Sequence, residues 1–414
     1  MGRNKQLNLQ PEYLDSGESF FRINPLTINP DYLPDLFLYE RYPKKDRKYR
    51  FRCLLTDGRS MPSLKVRELL RSWEVVYLHK KQHTHYRQHV TDNLAYILKH
   101  PDLNVKEKAK IFSEASTPVI KDVFDTRLSD DPIGPKTLNR MEDLVSQVFE
   151  FITDIESLNG LAELIGHNYE THAHSLKVGW LMAVYINNNR DLFPDIPRSE
   201  FKRFIIKAAV AGFLHDIGKI KIPQNILNKK RKLNNLEYLV VQSHSTYSGT
   251  LLFESRLPRA VMQAVLYHHE NDDGSGYPLG IRGDQIPVLA KITHIADVFE
   301  ALTSRRPYKE PKTAFEALKI MSGENPFVSQ LNQFEHEARE NIKAPVETIV
   351  RNEPDIKLRQ LRERQLMEEE EKKRIEARLR LRDKGMSHCF DRDIIRRFIL
   401  TMNRANSFDL SGLL

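Results

Sequence analysis

His215-Asp216-Ile217-Gly218-Lys219 follows a helical run of apolar residues, Phe204, Ile205, Ala208 and Ala209. An imidazole and a carboxylate at consecutive positions can both reach one metal ion. The carboxylate can also bridge two, because it has two oxygens where a neutral imidazole nitrogen takes one metal. Taken alone, the pair reads as the polar cap of a helix end. Its neighbours overturn that reading. Glu170 and His174 lie four apart, hence on one helix face. His244 stands between Ser243 and Ser245, His268 and His269 are adjacent, and Asp297 sits in the helical pattern Ile295-Ala296-Asp297. Five His, two Asp and one Glu in one helical stretch form a donor set for metal. The mixture of imidazole and carboxylate suits iron or manganese, with zinc as an alternative.

Outward from this centre, helical patterns run from Leu161 to about Met321. Residues 86–160 are also helical in pattern, with Pro118, Pro132 and Pro135 limiting their continuity. Before them, Leu36-Phe37-Leu38-Tyr39 is of strand length. Tyr49-Arg50-Phe51-Arg52-Cys53-Leu54-Leu55 alternates apolar and basic residues ahead of the turn signal Asp57-Gly58. A helix over Leu64–Trp73 and a strand at Val75–Leu78 complete a small unit, and residues 1–30 read as an irregular lead-in. The expected fold class is mostly α: an all-helical metal domain preceded by a small α+β domain and a helical connector. The expected divisions are 1–85 for the α+β domain and 86–160 for the connector. The metal domain spans 161–323, a charged helical insertion 324–388 and a closing helix 389–405.

At 414 residues the chain is too long for one compact core. Its 40% hydrophobic and 29% charged residues suit a globular protein with a well-charged surface. No apolar run reaches the roughly 18 residues of a membrane span, and Met1–Gln10 lacks the apolar core of a secretory signal. Two distant cysteines, Cys53 and Cys389, build no disulfide framework, so a reducing cytoplasm is the expected location. The formal charge is +8, and residues 1–100 hold eighteen Lys and Arg against eleven Asp and Glu, a net +7. No aromatic and basic nucleic-acid motif accompanies that excess, so a solvated basic surface is favoured over nucleic-acid binding. In the insertion, Glu368, Glu369 and Glu370 precede Lys372, Lys373 and Arg374 by four positions each. Such pairs support a solvated helix by roughly 0.2–0.5 kcal/mol each. An element of that kind is suited to a partner or to a second subunit.

The segment His215 to Ile220 and the segment His268-His269-Glu270-Asn271-Asp272-Asp273-Gly274-Ser275-Gly276-Tyr277-Pro278 resemble the two defining signatures of the HD-GYP family. Ala296–Ser304 with Arg306-Pro307-Tyr308-Lys309 resembles that family's third block, and Phe390-Asp391 through Ile399 its closing helix. The resemblance covers about residues 165–322, and the insertion separates it from the closing helix.

That resemblance implies a metal-dependent phosphodiesterase acting on cyclic di-GMP, giving linear pGpG and in some members GMP. It implies metal ligation by His174, His215, Asp216, His244, His268 and Asp297, with Glu170 and His269 added in members that hold three metals. Two or three divalent ions are therefore expected, three being favoured, with iron first and manganese next. A water held between two such ions is acidified enough to attack as hydroxide at neutral pH. Asp216 and Lys219 are the expected catalytic residues. Lys219, Gly274, Gly276, Tyr277, Pro278, Arg306 and Lys309 are the expected contacts to the dinucleotide. Most relatives carry Arg at the position of Lys309; Lys keeps the charge and loses the bidentate fork. The alternatives are a cyclic di-GMP receptor with little turnover and, more distantly, an HD hydrolase for another nucleotide. A homodimer or a protein partner would use the N-terminal domain or the 324–388 insertion.

Overall fold

The computed structural model describes residues 12–33, 36–43, 48–55, 63–125, 134–164, 171–229, 231, 233–253, 257–305, 310–323 and 385–405. Five short strands open the chain: β1 (Glu12–Asp15), β2 (Phe20–Ile23), β3 (Leu38–Pro43), β4 (Tyr49–Leu55) and β5 (Val76–His79). They form one antiparallel sheet in the order β1-β4-β3-β5-β2. The alternation along β4 sorts its side chains between the two faces. On one face Leu38, Leu55, Val76 and Leu78 pack with Val66 and Leu70 of helix α1 (Ser63–Ser72). On the other, Phe20, Tyr39 and Phe51 form a separate aromatic cluster, in which Phe20 stacks on Phe51 at 3.8 Å.

The irregular lead-in expected over residues 1–30 needs correcting, because it contributes β1 and β2. Strands of four residues are too short to show a two-residue period. The partners that hold them, Tyr49–Arg52 for β1 and Val76–His79 for β2, lie far along the chain.

The rest is helical: α2 (His83–Asp92), α3 (Leu94–Leu98), α4 (Val105–Asp125), α5 (Pro135–Thr153), α6 (Ser157–Leu164), α7 (Thr171–Asn188) and α8 (Arg198–Leu214). Beyond these come α9 (Gln224–Leu227), α10 (Asn235–Gln242), α11 (His244–Leu252), α12 (Arg259–Tyr267), α13 (Val288–Thr303), α14 (Ala314–Ser322) and α15 (Arg392–Arg404). The fold is mostly α with a small N-terminal sheet. Among the described residues, no helix is long and apolar enough to cross a membrane.

Residues 86–160 do not stand apart from the helices that follow. One continuous apolar core runs from Val90 to Ala405, and Phe112 and Phe151 pack edge-on and tilted against the buried Trp180. α4 passes through Pro118 without a break. A proline inside a helix costs about 3 kcal/mol. Burial of Ala115, Val119, Ile120, Val123 and Phe124 on the same helix offsets that cost.

α7 is buried all round from His174 to Ile186, as the central helix of a bundle must be. It meets α8 through Gly179 and Gly212, where a Cβ on Gly212 would lie 2.5 Å from the Gly179 Cα. Any side chain there would push the helices apart and separate His174 from His215. Gly323 and Gly385 bound the residues that are not described, and the Met386 N–H donates to the Ile320 carbonyl at 2.9 Å. The two ends of the intervening segment therefore meet. The charged stretch 324–384, where an insertion was expected, lies outside the described residues.

The sheet is tied to the bundle through polar contacts as well. The buried His89 of α2 accepts from the Asn29 N–H through Nε2 at 3.0 Å, and Thr27 Oγ1 bonds the Tyr86 hydroxyl at 2.8 Å. Burial pushes the His89 pKa down from 6.5 to about 4. The neutral ring is thus the folded form, and its contribution is complete above the unfolded value and lost as pH falls from 6.5 towards 4. Urea unfolding in chelator at pH 7 and pH 5 should show wild type losing more stability than His89→Gln. Equal losses would remove His89 from that account.

Candidate metal centre

Five helices and the turn after one of them deliver the donors. α7 presents His174 in its first turn, and α8 ends at His215, with Asp216 opening the short 3-10 turn Ile217–Lys221. α11 begins with His244, α12 ends at His268 with His269 next, and α13 supplies Asp297 from its middle. Seven of the eight expected ligands come together, and Glu170 lies outside the described residues.

The donors fall into two groups. Asp216, His244, His268 and His269 form one, and His174, His215 and Asp297 the other, with donor atoms within 4.8 Å of one another in each. Asp216 joins them. Its Oδ1 lies 3.2 Å from His244 Nε2, while its Oδ2 lies 3.5 Å from His215 Nε2 and 3.7 Å from His174 Nε2. Asp297 spans the groups too, with Oδ1 3.2 Å from His174 Nε2 and Oδ2 3.9 Å from His269 Nδ1.

Outer contacts set the ring tautomers. His215, His244 and His268 direct Nδ1 at the carbonyls of Gly212, Val241 and Val265, at 2.7, 2.6 and 2.6 Å. A carbonyl only accepts, so each Nδ1 carries the proton and each Nε2 turns a lone pair inward. His174 does the same with Glu300 as its acceptor. The inward nitrogens then face each other, His174 to His215 at 3.2 Å and His244 to His268 at 3.4 Å. Asp216 Oδ1 is buried and has no hydrogen-bond partner in good geometry. Lone pairs and carboxylates this close repel unless a cation lies among them. Burial lowers the pKa of His215, His268 and His269, which favours the neutral, ligating form. Burial works against ionisation of Asp216, yet Lys219 and the neighbouring histidines hold its carboxyl well below the usual range. The donor set fits divalent cations.

The remaining expected residues divide. Lys219 pairs with Asp216 and keeps part of its side chain in solvent. The Tyr277 ring lies against His269 at 4.6 Å, and burial raises its pKa, so the hydroxyl keeps its proton. Gly276 approaches the protein's own backbone: a Cβ there would lie 2.3 Å from the Asn271 nitrogen and 2.4 Å from the His269 carbonyl oxygen. Its lack of a side chain closes the loop that carries Gly274, Tyr277 and Pro278. Arg306 and Lys309 lie outside the described residues. His172 packs against Phe124.

Some supporting residues carried no reading in the sequence. Glu300 accepts from Lys177 Nζ at 2.7 Å, and Lys177 also donates to Ser304 Oγ at 3.0 Å, all three being buried. The signal was there as a pair of i, i+3 relations, His174 with Lys177 and Asp297 with Glu300. Only the packing of α7 on α13 turns those two relations into one network. Glu270 holds the other loop, accepting from the Leu279 N–H at 2.6 Å and the Gly280 N–H at 3.2 Å.

Residues 202–326 match the family model described as HD domain. That stretch is similar to an HD domain. Both signatures read from the sequence lie within these residues, the second ending at Gly276-Tyr277-Pro278. A cyclic di-GMP phosphodiesterase of Thermotoga maritima is 37% identical over 188 residues, 44% of this chain and 48% of that one. A cyclic di-GMP phosphodiesterase of Pseudomonas aeruginosa is 32% identical over 219 residues, 53% of this chain and 50% of that one. A 3'3'-cGAMP-specific phosphodiesterase of Vibrio cholerae is 46% identical over 164 residues, 39% of this chain and 30% of that one. The chain thus spans about half or less of the length of these relatives.

Proposed function

We propose that the HD domain hydrolyses a 3',5'-linked cyclic dinucleotide, with cyclic di-GMP as the substrate and linear pGpG, then GMP, as products. The observation that carries this reading is the pair of donor groups joined by Asp216 and Asp297. Divalent cations, when held there by these residues, would supply an acidified water and neutralise charge on the phosphoryl oxygens. Opening the ring adds one water, breaks one P–O3' ester bond and returns a proton to the departing 3'-oxygen.

The protein's own groups divide the remaining tasks. The two carboxylates fix the spacing of the donor groups. The Lys219 ammonium, part exposed beside Asp216, meets a phosphate that enters from solvent. The protonated Tyr277 hydroxyl donates at the loop, and Arg306 and Lys309 add charge for the second phosphate. Two donor groups account for two cations, and a third rests on Glu170. Iron is the first choice and manganese the second. A homodimer or a protein partner is assigned to the N-terminal domain or to the 324–388 insertion.

The test is turnover of cyclic di-GMP and of 3'3'-cGAMP by protein loaded with iron or manganese, followed by chelation and reloading. Cyclic di-GMP should be cut faster, with activity lost on chelation and restored by metal. Faster cleavage of 3'3'-cGAMP would move the substrate to that dinucleotide, in line with the Vibrio cholerae relative. Tight binding without cleavage would make the domain a receptor. Lys219→Ala should lower turnover by roughly 10²-fold with metal content unchanged, the cost of one charged contact to a developing phosphate charge. Loss of metal in that variant would mean that Lys219 acts only by holding Asp216.

A further inference from the structure

His268 and His269 are consecutive, and their rings lie with centroids 4.1 Å apart while both face the centre. Such neighbours diverge unless the peptide joining them is held in one orientation. That peptide's oxygen is the His268 carbonyl, at the end of α12, where helix carbonyls lack intrahelical partners. The His294 Nδ1–H of α13 donates to it at 2.7 Å. His294 is 6% exposed, and among the described residues its hydrogen bonding is confined to Nδ1, since Nε2 is buried without a partner.

The ring of His294 is itself braced. Phe390 lies against it at 5.0 Å with planes tilted by 36°. Phe390 belongs to the segment that begins at Gly385, and that segment is pinned to the same region by further bonds. The Asp272 N–H donates to the Cys389 carbonyl at 3.0 Å. Lys291, one turn before His294, pairs with Asp391 at 2.7 Å and with Asp272 at 3.4 Å.

We propose that His294 is a positioning residue for the His268-His269 pair, set in place by Phe390 of the 385–405 segment. It touches neither substrate nor cation, and acts by fixing the peptide plane that aims two adjacent imidazoles at one group of donors. This rests on the reading of the two donor groups as a cation site.

Manganese(II) binding, measured by competition with a chelator and by the rise in Tm on adding metal, tests it on the full chain. His294→Phe keeps a ring for Phe390 and removes the donor. His294→Asn places an amide N–H where the imidazole Nδ1–H stood. His294→Phe should weaken manganese binding by roughly 10–100-fold, the range for residues that orient ligands. Its metal-induced rise in Tm should shrink and kcat should fall more than KM rises, while His294→Asn stays within a few-fold of wild type. Wild-type manganese binding in His294→Phe overturns the proposal, as does equal loss in both variants, which would make ring packing the cause. If His294→Phe does not fold, Phe390→Leu replaces it, and unchanged manganese binding there overturns the bracing. Failure of wild type itself to bind manganese would overturn the cation-site reading, and this proposal with it.

Discussion

Asp216→Ala is expected to abolish dinucleotide turnover and to leave less than one bound cation per chain. Asp216 reaches both donor groups, with Oδ1 towards His244 and Oδ2 towards His215 and His174. Two divalent ions at this spacing repel each other, and a shared carboxylate offsets that repulsion while serving as a ligand to both. Removing an outer contact to a ligand already costs 10–100-fold in metal affinity or activity, so removing a bridging ligand should cost more than roughly 10²-fold. The variant should fold, because the apolar core of the bundle is built from other residues. Metal analysis beside a turnover assay decides the matter. A variant with normal metal content and near-normal activity would place Asp216 outside the ligand set.

The positions of the ligands were legible in the sequence because each sits at a signal of its own. His215-Asp216 ends an apolar helical run, and His268-His269 ends another. Convergence was less legible. Nothing in the spacing says that Asp297 touches both donor groups, since that depends on how α13 crosses α7 and on the loop that follows α12. The support of the ligands was legible least of all. Lys177 and Glu300 are 123 positions apart, and each reads alone as an ordinary charged residue on a helix. The sheet failed for a related reason: β1 and β2 carry four residues each, and their pairing is wholly long-range. Residues 86–160 were read as helical, which they are, but a helical pattern does not say which helices it packs against. Their burial around Trp180 is a tertiary fact.

Glu300→Ala should cost both stability and metal, and a set of variants can separate the two effects. Glu300 is 2% exposed, and its carboxylate faces Lys177 Nζ on one oxygen and His174 Nδ1 on the other. Burial opposes its ionisation, but His174 and Lys177 hold its pKa well below the ordinary value. Deleting the carboxylate leaves the Lys177 ammonium buried with Ser304 alone, a loss of about 3–5 kcal/mol for a broken buried pair. In a helical domain of this size that corresponds to a fall in Tm on the order of 10 °C. Glu300→Gln behaves differently. Its carbonyl oxygen can still accept from Lys177, so much of the stability should remain. The amide must then present N–H to His174 Nδ1, where a donor already stands. The ring can answer by moving its proton to Nε2, and a protonated Nε2 cannot ligate. Glu300→Gln should therefore keep most of the Tm and lose cation binding in the group of His174, His215 and Asp297. The double variant Lys177→Met, Glu300→Leu removes both charges, so it should recover stability relative to Glu300→Ala while remaining inactive. Thermal unfolding in chelator reports the first effect, and metal content with turnover reports the second. Full metal content and normal turnover in Glu300→Gln would show that the His174 tautomer is set elsewhere.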